Sequence, residues 1–326
     1  NRVGDHNRVP WGSDYHMNVN LQMNYWPTYS ANLAECAIPL IDYVNSLREP
    51  GRVTAEAYFG IKSEPGEANG FSAHTQNTPF GWTCPGWSFS WGWSPAAVPW
   101  IIQNCWEHYE YTGDVEYMKE NLYPMMREEA ILYDQILVDS GQEIILEDET
   151  KSTRLVSAPA YSPEHGPRTL GNVYENELIW QLYEDTITAA EGLGVDEDLV
   201  ANWKANQARL APIEIGDDGH IKEWFNETSF ATIPGIQNPG IERAHRHMSH
   251  LLALYPGDQI SVENKEYIDA AVVSLTDRTD NATGWGIGQR INAWARTGDG
   301  DHAHKVIISL FKNGIYPNLW DSHAPF

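Results

Sequence analysis

The sequence predicts an all-α fold: a toroid of helical hairpins with long functional loops and a few short loop strands. Three observations carry that expectation. Apolar residues recur at helical spacing through much of the chain. Two nearly identical joints, Thr112-Gly113-Asp114 and Thr297-Gly298-Asp299, each close one helix and open the next. Long loops, expected at 60–94, 140–172, 213–245 and 313–326, separate the helical stretches. In such a joint Gly takes the left-handed C-cap and Asp caps the following helix, so neighbouring helices run antiparallel. Leu193-Gly194-Val195-Asp196 is a looser version, and the spacings are too irregular for a solenoid.

Taken in order, 32–47 carries a helical stripe of Leu33, Cys36, Ala37, Leu40, Ile41 and Val44. The loop 60–94 then interleaves Gly, Pro, Asn and Ser with Phe71, Phe80, Trp82, Trp87, Phe89, Trp91 and Trp93. Structureless loops of that length are uncommon without a function. Helices are expected at 96–111, at 115–121 and, restarted by Pro124, at 125–138. Short strands are expected at 143–146 and 213–215, with Asp217-Asp218-Gly219 as a turn.

A formal charge of −24 argues against a nucleic-acid partner, because such a surface repels phosphates. No run of 18 apolar residues predicts a membrane span, and no charged-then-apolar start reads as a signal peptide. The chain opens at Asn1 without Met and closes at Phe326 inside a dense motif, which reads as a piece of something longer. Cys36, Cys84 and Cys105 lack zinc or disulfide-scaffold spacing and are expected to be small buried apolar residues. The 14 Trp and 16 Tyr suit a large core, and equally a site that stacks on the apolar faces of sugars.

Four stretches bear chemistry. In the first, Asp14, His16, Asn18 and Asn20 crowd into seven residues just ahead of Trp26 and Pro27. A polar turn capping a helix would have the same composition. Residues i and i+2 share a face only on an extended strand, so Asn18 and Asn20 can serve one ligand only if 16–20 is extended and the helix starts near Leu21. Amide carbonyls are good acceptors and poor bases; such a pair would orient a water. The second is Tyr161-Ser162-Pro163-Glu164-His165-Gly166-Pro167, where two prolines and a glycine fix Glu164 on a rigid turn. It is either an ordinary surface acid or an acid whose pKa can be raised for general-acid work. The third is His245-Arg246-His247-Met248-Ser249-His250. It lacks the HExxH pattern and carries a cation in its midst, so hydrogen bonding to hydroxyls is expected rather than metal binding. The fourth, Asn318 to Phe326, places Asp321 and His323 together near Pro325. Gly284-Trp285-Gly286-Ile287-Gly288 lacks the order of a dinucleotide site, and the sequons at Asn226 and Asn281 are of a kind that recurs by chance.

Together, WGSDYHMNVNLQMNYWP, APAYSPEHGP, HRHMSHLLALYPG, TGWGIGQRINAWARTGDGD and NLWDSHAPF resemble glycoside hydrolase family 95, the inverting 1,2-α-L-fucosidases. The matched segments span almost the whole chain. The resemblance implies one (α/α)6 barrel over 1–326, incomplete at its C-terminal end and without the flanking β-domains. It implies Glu164 as the acid that protonates the leaving oxygen, and Asn18 and Asn20 as holders of the attacking water. Asp321 is the candidate for the aspartate that polarises those amides; the family's continuation, Gln-Ile-Asp-Gly-Asn, offers a second. His16, Arg246 and His247 match sugar-contacting positions, and Trp224 and His323 complete the candidate substrate contacts. Relatives that prefer L-galactose carry Thr where this chain has His16, so fucose is implied.

The expected activity is inverting hydrolysis of terminal α-1,2-linked L-fucose from an oligosaccharide or glycan, with no cofactor and no metal. Acid and water then stand on opposite faces of the sugar, roughly 6.5–9.5 Å apart in inverting enzymes. An extracellular or cell-surface location follows from the resemblance. The alternatives are an α-L-galactosidase of the same family, a non-catalytic sugar-binding homologue and, more distantly, a phosphorylase of similar barrel shape.

Overall fold

The computed structural model describes residues 12, 14–86, 88–229 and 243–321. His323, Trp11 and Trp87 lie outside them. The chain divides into two compact units, one of Tyr15–Pro163 with Arg168–Pro212, the other of Asn1–Asp14, Glu164–Pro167 and Ile213–Phe326.

The first unit is mostly helical. Its long helices are Ile38–Ser46, Arg48–Phe59, Ala97–Thr112, Tyr123–Ile136, Val173–Leu193 and Glu197–Arg209. They close over a core that includes Leu40, Ile41, Val44, Ile101, Met125, Tyr133, Tyr183 and Trp203. The joints form as their sequence dictates. Gly113 (φ 65°) ends one helix in the left-handed region, and Asp114 accepts from Tyr117 N at 2.9 Å to start the next. At the looser joint Gly194 (φ 66°) ends its helix in the same way. Asp196, however, makes no cap there. Its carboxylate instead takes the Tyr123 hydroxyl at 2.6 Å and Arg127 Nε at 2.8 Å.

Several expectations need correction. The segment 115–121 becomes a short α-turn, Val115–Tyr117, followed by a π-turn over Met118–Leu122. The strand at 143–146 extends over Val138–Ile145 and pairs antiparallel with Lys151–Val156, with a register shift between Asp139 and Glu143. The loop 60–94 contains the strand Gln76–Asn77, which pairs with Tyr15–His16, and a helical turn at Phe89–Gly92. Among the cysteines only Cys105 is buried; Cys84 is half-buried and Cys36 exposed, so the apolar role fits one of three.

Two adjacent acids in the helix Tyr123–Ile136 show how the core handles charge. Glu128, fully buried, is met by Arg48 Nε at 2.7 Å and Arg52 Nε at 2.6 Å. Glu129, equally buried, has no hydrogen-bond partner among the described residues, and burial pushes its carboxyl well up. An unpaired buried carboxyl stays neutral rather than bear the desolvation cost of its charge.

The second unit has its own core, which includes Ile221, Met248, Leu254, Leu275, Ile287 and Trp294. Its helices are Lys265–Arg278, Gly284–Arg296 and Gly300–Asn313. The last two meet at the second joint, where Gly298 (φ 85°) turns the chain and Asp299 caps His302 N at 2.9 Å. The strand expected at 213–215 reduces to a single bridge, Ile215 to Ile221, closed by a turn at Gly219 (φ 83°). No helix among the described residues is long and apolar enough to cross a membrane.

Candidate active site

The Pro-rich acid loop is tied at its base within the first unit. Ala160 and Thr169 exchange both backbone hydrogen bonds, at 2.9 and 3.0 Å, and Gly171 N donates to Ser157 O at 2.9 Å. Tyr161 N donates to Glu175 Oε1 at 3.1 Å. Glu175 is buried, and burial raises its carboxyl to about 7 against the hydrogen bonds from Tyr161 and Asn172 that oppose the shift. A carboxyl with a folded pKa above its unfolded value binds the extra proton in the native state, so its contribution is present at low pH and lost as pH rises. The window runs from the ordinary Glu value of about 4.3 to about 7; the full span is worth ~4 kcal/mol, of which ~3 kcal/mol lies above pH 5. Urea unfolding at pH 5 and pH 8 should therefore show Glu175→Gln losing about that much less stability than wild type between the two. Equal losses in the two proteins would refute the assignment.

The loop tip, Glu164–Pro167, belongs to the second unit. Glu164, whose side chain is 10% exposed, pairs through Oε2 with Arg246, and His247 Nε2 lies 3.8 Å from the same oxygen. Burial holds His247 well below the ordinary imidazole range, overriding the nearby Glu164, so it is neutral. Burial likewise drives His245 down to about 2. His245 stacks on His165 with centroids 4.0 Å apart, and Trp285 lies against His247 at 4.6 Å. Gly166 adopts φ +79°, and a Cβ there would strike the Trp224 ring, so this turn accepts no larger residue. Three of the sequence-predicted residues, Glu164, Arg246 and His247, are thus brought into one cluster. Trp224 stands behind it, 1% exposed and edge-on to His165 at 5.3 Å between ring centroids. Trp224 is a wall of the acid loop rather than an open stacking surface.

Two buried arginines hold the loop that carries Arg246 and His247. Arg278 donates to His247 O at 3.0 Å and to Arg243 O at 2.9 Å. Arg290 donates to five backbone carbonyls: Thr279 at 2.6 Å, Gly286 at 2.9 Å, Arg246 at 3.0 Å, His245 at 3.1 Å and Arg278 at 3.2 Å. Burial and the neighbouring Arg278 lower the Arg290 guanidinium to about 10, which leaves it charged at neutral pH.

In the first unit the strand around His16 stops at that residue. Residues 17–19 form a turn and the helix Asn20–Tyr25 begins at once, so the extended run expected over 16–20 is shorter than required. The turn is fastened by Met17 N to Thr75 O at 2.7 Å and by Gln22 Nε2 to Met17 O at 3.1 Å. Asn18 is 2% exposed; His16 and Asn20 are half-buried.

Asp321 is exposed, in a small turn closed by Tyr316 N to Trp320 O at 2.8 Å. Its carboxylate sits beside Gly284, the first residue of the helix Gly284–Arg296, where a Cβ would overlap it. That helix end is electropositive and suits an anion. His323 falls outside the described residues. Sequence reasoning did not single out Trp285, Glu223, Arg278 or Arg290. Trp285 had a signal, an aromatic residue between two glycines at a helix start; the others are buried charges with distant partners. Among the described residues no group of three or more His, Cys, Asp or Glu is placed to hold a metal ion.

The pattern of the Glycosyl hydrolase family 95 catalytic domain matches residues 4–326. "Alpha-L-fucosidase 2" of Arabidopsis thaliana is 30% identical over 97% of this chain and 37% of its own length. "Probable alpha-fucosidase A" of Aspergillus niger is 29% identical over 96% of this chain and 38% of its own. The chain therefore spans little more than a third of these relatives. Among solved structures, "Putative kojibiose phosphorylase from human microbiome" is similar with a TM-score of 0.55 at 11% identity, covering 85% of this chain and 40% of that one. That likeness concerns the fold, which is of the (α/α)6 barrel class.

Proposed function

The chain belongs to the glycosyl hydrolase family 95 catalytic domains, and from that premise we propose that it supplies the reaction centre of an enzyme removing terminal α-1,2-linked L-fucose from oligosaccharides or glycans with inversion. The observation that carries this reading is the cluster of Glu164, Arg246 and neutral His247, a carboxyl held on a rigid loop beside two donors for sugar hydroxyls.

The guanidinium of Arg246, on a side chain 38% exposed, turns from Glu164 to the sugar; the carboxylate so released takes up a proton from solvent and passes it to the departing glycosidic oxygen, ending again as the carboxylate. The family resemblance gives Asn18 and Asn20 the attacking water, Asp321 the polarising of their amides and His16 a sugar contact; the two amides then reach that water from a turn and from the first residue of the helix Asn20–Tyr25, not from one face of a strand. Neutral His247 donates to a hydroxyl, and Trp285 beside it offers the apolar surface that the C5 methyl of fucose needs. The transition state is oxocarbenium-like, and Glu164 and the water act from opposite faces. Such glycans are displayed outside cells, so the proposal includes a secreted or cell-surface location, to be checked by fractionating the producing cells.

The test uses the full-length natural protein with 2′-fucosyllactose and with the nitrophenyl α-L-fucoside and α-L-galactoside. Proton NMR of the first product should show β-L-fucose. Initial release of the α-anomer would overturn inversion. Faster turnover of the galactoside would replace the substrate, and binding without turnover would make the protein a lectin-like homologue.

A further inference from the structure

We propose that Glu223 is a positioning residue that sets the register between the acid loop and the His245–Arg246–His247 loop. The inference rests on Glu164 being the catalytic acid, as argued above. Glu223 is 1% exposed, and its two carboxylate oxygens divide between the two loops. Oε1 lies 2.7 Å from Nε2 of His165, the residue that follows Glu164. Oε2 accepts from Arg278, whose Nε and Nη1 hold the carbonyls of His247 and Arg243. One buried anion is therefore the shared anchor of the two segments that meet at the Glu164–Arg246 pair.

The anchor is itself fixed. Glu227 Oε2 accepts from the backbone N–H groups of both Glu223 and Trp224, at 2.6 and 3.1 Å, and Glu227 Oε1 lies 2.8 Å from His220 Nε2. Trp224, the next residue, packs edge-on against His165 and fills the space that Gly166 leaves open. Burial alone would raise the Glu223 carboxyl, but His165, Arg278 and the nearby His250 hold it well below the ordinary range, so it is an anion. A carboxylate with both oxygens used in this way constrains geometry in a manner that an apolar residue of similar volume cannot. Outer partners of this kind orient the groups that do chemistry.

The experiment compares wild type, Glu223→Gln, Glu223→Ala and His165→Phe in the full-length protein. The phenylalanine keeps an aromatic ring beside His245 and removes both ring nitrogens, including the Nε2 that Glu223 binds. On 2′-fucosyllactose, Glu223→Ala should lower kcat about 100-fold and His165→Phe about 10-fold, with KM within threefold of wild type. Glu223→Gln, which keeps two polar atoms in place, should recover part of the Ala loss. Amide hydrogen exchange of 163–167 and 243–247 should accelerate in Glu223→Gln and His165→Phe, while the helix Val173–Leu193 exchanges as in wild type. Normal loop exchange with kcat within twofold of wild type in both variants overturns the proposal. So does a loss that falls wholly on KM. The exchange arm needs no substrate, so a wild type inactive on fucosides would defeat the functional reading while leaving the register test standing.

Discussion

Glu164→Gln should lower kcat on 2′-fucosyllactose by about 10²- to 10⁴-fold, the usual contribution of a positioned general acid, with little change in KM. The amide retains an oxygen to accept from Arg246, so the loop keeps its shape and the loss is chemical. The informative comparison is between leaving groups. A nitrophenolate departs without protonation, so the variant should retain far more of its activity on the nitrophenyl fucoside than on the disaccharide linkage. If both substrates lose the same factor, Glu164 is not the acid, and a role in binding or loop support must take its place.

Replacing Arg290 with Met should have the largest effect on stability. The side chain is fully buried and its donors go to carbonyls of residues 245, 246, 278, 279 and 286. Methionine has similar reach and no donor, and a buried carbonyl left without one costs about 1–3 kcal/mol. Relaxation and entering water recover part of that, so a fall of at least ~3 kcal/mol in the unfolding free energy is expected, read from the urea midpoint at constant m-value. Arg290→Lys should restore some of it, because one ammonium cannot reach five carbonyls in a plane. A loss under ~1 kcal/mol in Arg290→Met would mean that the five hydrogen bonds are incidental to the fold.

What the sequence disclosed follows from how locally each feature is encoded. The Thr-Gly-Asp joints carry their own C-cap and N-cap within three residues, and both caps are present. The helix Arg48–Phe59 lies between the helical stripe read at 32–47 and the loop read at 60–94, and it contains Pro50-Gly51. Pro50 lies in the first turn, where no helical N–H is lost, and Gly51 admits the close approach of Phe71, which a Cβ would meet at 3.0 Å. The strand Lys151–Val156 escaped notice because Lys151, Ser152, Thr153 and Arg154 give no apolar alternation; its pairing with Val138–Ile145 is tertiary information.

The candidate site divides along the same line. Glu164, Arg246 and His247 sit in dense motifs that draw attention, and they cluster. The residues that hold them are single charges in unremarked surroundings. Glu223 meets Arg278 across 55 positions of sequence, and Arg290 meets the carbonyl of Arg246 across 44. Local pattern cannot encode such a bond, because neither partner is marked by its neighbours. The extended reading of 16–20 missed for a related reason. Met17 is drawn inward by its bonds to Thr75 and Gln22, and the chain turns there instead of continuing straight.

The start of the helix Gly284–Arg296 has a consequence for anyone trying to make the protein sturdier. Glycine is a poorer helix former than alanine, by up to about 1 kcal/mol in a helix interior and less in a first turn, so 284 and 286 are positions a stabilisation campaign would change. The space for a methyl group is already taken at 284 and is tight at 286, where neighbours would have to give by a few tenths of an ångström. Asp321 fills it at 284; at 286 Ala282, the Arg290 guanidinium and the Arg246 carbonyl crowd it. The stronger helix and the intact reaction centre compete for the same few cubic ångströms. A directed-evolution library opened at these two codons would be searching for heat tolerance in the one turn where it displaces the groups proposed to do the chemistry.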